Sequence, residues 1–259
     1  MPSTAAASEP SDKAPSGTEA AAIRERIIVA LDVPTADEAR SLVDELGGAV
    51  GAFKVGMQLF TAAGPEFVKE LTGRGIKVFL DLKYHDIPNT VAAAGLEATK
   101  MGVWMFDVHA SGGREMMQRT VDAIADYTDL TRMRRPIILG VTVLTSSDRQ
   151  TLDQIGVSVT VDEQVARLAR LAFDTGLDGV VSSAQEVSVV RNAVDASRFI
   201  TVTPGIRGRD ATSDDQRRVT TIGDALAGGS DFVVIGRPIL AAANRMAAVE
   251  KLVEEARQH

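Results

Sequence analysis

Residues 77–110 read KVFLDLKYHDIPNTVAAAGLEATKMGVWMFDVHA. The segment opens on a short strand-like run, KVFLDLK at 77–83, continues through PNTVAAAGLEATKMG at 88–102 with helical periodicity, and closes on a second strand-like run, WMFDVHA at 104–110. Strand, helix, strand is the repeating unit of a parallel sheet. The alternation extends in both directions. IIVALD (27–32) and AFKVG (52–56) precede it, and PIILGVTVL (136–144), GVVSS (179–183), FITVTPG (199–205) and DFVVIG (231–236) follow. Between them lie helical patterns such as TADEARSLVDEL, GPEFVKELTGRG, GGREMMQRTVDAIADYT, VDEQVARLARLAFDTG and IGDALAGG. No break in composition interrupts the series. Eight βα units in about 240 residues predict an α/β fold, a single-domain (β/α)8 TIM barrel over residues 21–259. The competing open doubly wound sheet lacks a GxGxxG after the first strand.

Composition narrows the function. The chain has 259 residues, 45% apolar and 24% charged, enough for one large core. Residues 1–20, rich in Ala, Ser, Pro and Gly, read as a disordered tail. With no cysteine there is no disulfide, thiolate nucleophile or cysteine metal site, which suits a reducing cytoplasm. Three histidines, His85, His109 and the terminal His259, argue against a multi-histidine metal centre. A net charge of −7 argues against a nucleic-acid surface, and one Trp with two Tyr offers no stacking platform. No signal peptide is visible, and no apolar run reaches the roughly 18 residues of a membrane span. A soluble, cytoplasmic protein is expected.

Barrel strands are usually apolar throughout, yet several here carry charge toward their C-terminal ends. Asp32 closes IIVALD and Lys54 sits in AFKVG. Asp81 and Lys83, two residues apart, share one face of an extended strand, and Asp107 and His109 repeat that spacing. Each alone could be a rim residue paired with a neighbour. Four charged strand ends together predict convergence at the C-terminal rim, where barrel enzymes keep their chemistry. His109 reads more readily as a buried histidine satisfied by Asp107 than as a base. The last two strands end differently, in TPGIRGR (203–209) and IGRPI (235–239). Glycines there let backbone N–H groups approach an anion, and Arg207 and Arg237 supply guanidinium forks, which predicts a phosphate site.

DLKYHDIPNT (81–90), taken with VALD (29–32), FKVGMQLF (53–60), VTVLTS (141–146), TPGIR (203–207) and VIGRP (234–238), closely resembles the orotidine 5′-phosphate decarboxylase family. The resemblance runs in order over the chain after the tail. It implies conversion of orotidine 5′-phosphate (OMP) to uridine 5′-phosphate (UMP) and CO₂, the last step of de novo pyrimidine nucleotide synthesis, with neither metal nor organic cofactor. It implies that Lys54, Asp81, Lys83 and Asp86 form an alternating catalytic network with Lys83 as proton donor. Asp32 would bind a ribose hydroxyl, with Lys54 and Ile87 also against substrate. Thr145 would contact the pyrimidine, Gln216 the pyrimidine and phosphate, and Arg207, Gly236 and Arg237 the phosphate. It further implies a homodimer in which Asp86 and Thr90 reach the partner's site. The runner-up is a Mg²⁺-dependent 3-keto-L-gulonate 6-phosphate decarboxylase or related sugar-phosphate lyase, which also carries DxKxxD but uses its carboxylates for the metal. The IPNT extension, Thr145 and Gln216 argue against it. A non-catalytic phosphate-binding barrel would leave Lys83 unexplained.

Overall fold

The computed structural model describes residues 16–206 and 220–259, and within them eight parallel strands close into a barrel in chain order. The strands are β1 (Ile27–Ala30), β2 (Ala52–Gly56), β3 (Val78–Tyr84), β4 (Met105–His109), β5 (Ile137–Val141), β6 (Gly179–Val181), β7 (Ile200–Thr203) and β8 (Phe232–Ile235). Closure is made where β1 pairs with both β2 and β8, Ile28 standing opposite Ala52 and Val234. Helices α1 (Ser16–Glu25), α2 (Ala36–Leu46), α3 (Met57–Gly73), α4 (Pro88–Lys100), α5 (Gly113–Thr131) and α6 (Arg149–Gln154) accompany the first half. The second half adds α7 (Val161–Asp174), α8 (Val187–Ala193), α9 (Ile222–Ala227), α10 (Arg237–Leu240) and α11 (Arg245–Arg257). Polar residues set helix starts locally, as where the Thr160 hydroxyl and Glu163 form a reciprocal capping box on α7. Among the described residues no helix is long and apolar enough to cross a membrane.

Strand parity decides where the chemistry sits. Ile27, Val29 and Leu31 pack in the main core between sheet and helices, whereas Ile28 and Ala30 belong to a second, smaller cluster. That cluster gathers Ala52, Phe79, Met105, Leu139, Val202 and Val234 from other strands, so it fills the barrel interior. Burying one large side chain of this plug stabilises the fold by about 1.5–3 kcal/mol. Two residues further along the same faces come Asp32, Lys54, Asp81, Asp107 and Gly236. A polar layer therefore rests on an apolar floor at the C-terminal mouth.

Three details differ from the sequence reading. The chain is already helical at Ser16, so residues 16–20, assigned above to the tail, belong to α1. Ala20 packs on the core and Ile23 is buried, which supplies the burial that composition did not suggest. Residues 1–15 lie outside the described residues. Helix α3 begins at Met57 rather than Gly64, with Gly64 (φ 72°) and Pro65 forming a break within it. Finally, β3 does not alternate evenly: Leu80 stands opposite Phe106 but Tyr84 opposite Val108, and inside this bulge Lys83 has a φ of 50°.

Candidate active site

The charged strand ends meet in one cavity of about 300 Å³. Asp32, Lys54, Asp81 and Lys83 line one part of its wall. Lys54 Nζ lies 3.3 Å from Asp32 Oδ1 and 3.1 Å from Asp81 Oδ2, and Lys83 Nζ donates to Asp81 Oδ1. Charge alternates without interruption from Asp32 through Lys54 and Asp81 to Lys83. Burial alone would strip the proton from Lys54, but Asp81 and Asp32 overcome it and raise its pKa. Burial likewise works to raise Asp81, yet Lys54 and Lys83 win and hold it well below the usual carboxylate range. The layer is thus stably charged although Lys54 and Asp81 are only 12% and 13% exposed.

Thr145, Gly205, Gly236 and Arg237 complete the cavity wall from the loops after β5, β7 and β8. Gly205, with φ 86°, turns the chain in a conformation that disfavours a side chain. A Cβ on Gly236 would stand 3.4 Å from Asp32 Oδ2, so its absence keeps that wall open. Arg207 and Gln216, named above for the phosphate and pyrimidine, lie outside the described residues.

Asp86, Ile87 and Thr90 are not in the cavity wall. All three are exposed, Ile87 by 66%, and the Asp86 carboxylate accepts the Ile87 N–H at 2.6 Å. Asp107 also departs from expectation. Its Oδ1 accepts the Lys83 N–H at 2.8 Å, and its carboxyl meets Asp81 rather than serving His109. His109 stacks obliquely on His85, ring centroids 5.4 Å apart, and burial, His85 and Lys83 lower its pKa. The bulge in β3 causes this change of partners, because it carries the Lys83 backbone over to Asp107. Sequence reasoning also passed over Ser182, a buried residue of the wall that lies in the polar end of GVVSS, the only local signal it offered.

The profile described as the Orotidine 5'-phosphate decarboxylase / HUMPS family matches residues 25–252. The chain belongs to this family. An orotidine 5′-phosphate decarboxylase from Syntrophotalea carbinolica is 50% identical over 232 residues, covering 90% of this chain and 95% of that one. One from Legionella pneumophila is 50% identical over 230 residues, covering 89% and 98%. The crystal structure of orotidine 5′-phosphate decarboxylase from Lactobacillus acidophilus superposes with a TM-score of 0.77 at 37% identity, covering 89% of this chain and 98% of that one. Membership extends over the whole barrel, while most of α1 precedes the matched residues.

Proposed function

We infer that the protein carries out the decarboxylation of OMP to UMP and CO₂, with Lys83 as the group that meets the developing charge. The observation that carries the assignment is the unbroken series Asp32, Lys54, Asp81, Lys83 in a cavity whose remaining wall bears Thr145, Gly236 and Arg237. Breaking the bond between C6 and the carboxylate leaves an electron pair at C6, in the ring plane, with no adjacent carbonyl to accept it. A fixed ammonium at that position stabilises the pair electrostatically and then supplies the proton that completes UMP. Lys83 is the ammonium that ends the series, and among the described residues its ion pair is with Asp81. Lys54 is gripped by two carboxylates and suits a holding role, with Asp32 toward a ribose hydroxyl. Asp81 would face the substrate carboxylate, a contact relieved as CO₂ departs. Arg237, Gly236 and the Arg207 loop would grip the phosphate, so that binding energy remote from C6 holds the ring in register.

The Mg²⁺-dependent runner-up needs carboxylates free to coordinate a cation, whereas Asp81 here is bridged by two ammonium groups. The relatives near 50% identity carry the decarboxylase name. A homodimer with shared sites also fits: Asp86, Ile87 and Thr90 are exposed, and Met57, 59% exposed, lines a small cavity beside Asp32, Lys54, Asp81 and Lys83. Cytoplasmic residence fits a chain without cysteine.

The test is the loss of OMP absorbance with wild-type protein and with Lys83→Ala, each with and without exhaustive chelation. Wild-type turnover is expected to be unchanged by chelator. Lys83→Ala is expected to lose at least about 10³-fold in kcat with its circular dichroism preserved. Retention of activity within about tenfold would remove Lys83 from the reaction. Activity lost to chelator and restored by Mg²⁺ would favour the sugar-phosphate lyase.

A further inference from the structure

Lys83 has a positive φ of 50°, in a region that residues with a side chain seldom occupy, and it lies within the β3 bulge. Such a conformation persists only where its surroundings fix it. One fixed partner is visible: the Lys83 N–H donates to Asp107 Oδ1 at 2.8 Å across from β4. Asp107 is wholly buried, does not line the substrate cavity, and its Oδ2 meets no hydrogen-bond donor among the described residues. Its carboxyl lies close enough to Asp81, the residue that grips the Lys83 ammonium, for each to shift the other's pKa. Asp107 therefore touches both ends of Lys83, the backbone directly and the ammonium through Asp81.

We propose that Asp107 is a positioning residue for Lys83, holding its backbone in the bulge and steadying the Asp81 carboxylate that aims its ammonium. The proposal rests on the assignment of Lys83 as the reacting lysine. Two buried carboxyls in contact cannot both be ionised, so one proton lies between them. Asp81, flanked by Lys54 and Lys83, keeps the charge, and Asp107 carries the proton and donates it in a hydrogen bond to Asp81. Burial and Asp81 both push the Asp107 carboxyl well above its ordinary pKa, in the same direction. A carboxylic acid in this position orients its neighbour without adding negative charge to a cavity that must receive an anionic substrate. Tyr84, whose phenol is pushed up to about 12 by burial and by Asp107, and His109, which feels Lys83 and Asp81, are further titratable groups beside this pair.

The test measures kcat, KM for OMP and the dissociation constant of UMP for the full-length wild type, Asp107→Ala, Asp107→Asn and Lys83→Ala. Asp107→Ala removes the acceptor for the Lys83 N–H and the donor to Asp81, and is expected to lower kcat about 100-fold, the scale of a misplaced reacting group. KM and UMP affinity should stay within about threefold, because phosphate and ring are held elsewhere. Asp107→Asn keeps an oxygen for the Lys83 N–H and offers an amide N–H to Asp81, and is expected to recover at least about tenfold of the loss. If Asp107→Ala does not fold, Asp107→Val fills the space without an acceptor and takes its place. Asp107→Ala or Asp107→Val keeping kcat within about threefold of wild type overturns the proposal, as does Asp107→Asn being equally slow. Loss of kcat matched by equal loss of UMP affinity also overturns it, since that marks general damage. If Lys83→Ala itself remains active, the assignment of Lys83 fails and the role of Asp107 with it. An inactive Lys83→Ala beside an active Asp107→Ala rejects the role of Asp107 alone.

Discussion

Arg237, separated from β8 by Gly236, opens α10 and lines the cavity that the charged strand ends enter. A guanidinium that grips phosphate contributes only when phosphate is present, through charge-assisted hydrogen bonds of about 1.5–3 kcal/mol. Arg237→Ala should therefore weaken UMP by roughly 10–100-fold while uridine changes by less than about threefold, measured by competitive inhibition. Equal weakening of both would place Arg237 elsewhere. A second expectation concerns pH and stability. The raised Asp107 carboxyl keeps a proton in the folded chain that the unfolded chain releases near pH 4, so stability falls as pH rises above about that value. Asp81 has the opposite sign: its depressed pKa adds stability above the unfolded value, lost only as pH falls toward its folded value in strong acid. Asp107→Asn removes the first effect. Its melting temperature should exceed that of wild type by at least about 2 °C at neutral pH, the gap widening as pH rises above the unfolded carboxyl value of about 4. A gap that is flat or reversed would show that Asp107 is ionised in the fold. Asp32, Lys54, Asp81 and Lys83 were legible in the sequence because a charge that closes an apolar barrel strand must face the wet C-terminal mouth rather than the packed interior. Asp107 was legible only as the expected partner of His109. Its partners depend on where β4 lies against the bulged β3, and spacing along one strand carries no such information.

Among the elements, α1 lies largely before the part of the chain that its family shares, and it packs on α11 at the other end of the sequence. Two kinds of contact join it there. Arg24 pairs with Glu250, and Glu19 approaches Arg257 at 3.6 Å, all partly exposed. Ile23, by contrast, is only 8% exposed within the main core. Exposed ion pairs contribute about 0–1 kcal/mol, whereas truncating a buried isoleucine costs about 2–5 kcal/mol, with this edge position at the lower end. Ile23→Ala should lower the melting temperature by about 4–8 °C, and Arg24→Ala by less than about 2 °C, in thermal unfolding at equal protein concentration. Comparable losses would mean that charge rather than packing docks the helix. The eight strands and the longer helices were readable because each carries its own periodicity. Helix α1 was missed in its first turns because alanine-rich composition fits both a tail and a helix, and the deciding contact, packing of α1 on α11, comes from the far end of the chain.

For the whole molecule, the question is how many chains make one site. A single chain brings Asp32, Lys54, Asp81 and Lys83 into its cavity, but Asp86 and Thr90, from the same DLKYHDIPNT stretch, stand exposed outside it. The bulge ends at Tyr84, and the chain then runs through His85 and Asp86 to the start of α4. That short path lets Asp86 serve a cavity other than its own. If two copies pair about a two-fold axis, each site takes Lys83 from one chain and Asp86 with Thr90 from the other. Lys83→Ala and Asp86→Ala homodimers should then each be inactive, since every site lacks one of the two. Subunit exchange between them produces mixed dimers in which one site has lost both residues and the other retains both. Random pairing puts about half of the dimers in the mixed form, each with one working site of two, so roughly a quarter of wild-type activity should return. Exchange can be followed independently with mass-tagged chains. Complete exchange without recovered turnover would mean that Asp86 serves the cavity of its own chain, whether or not the protein is dimeric.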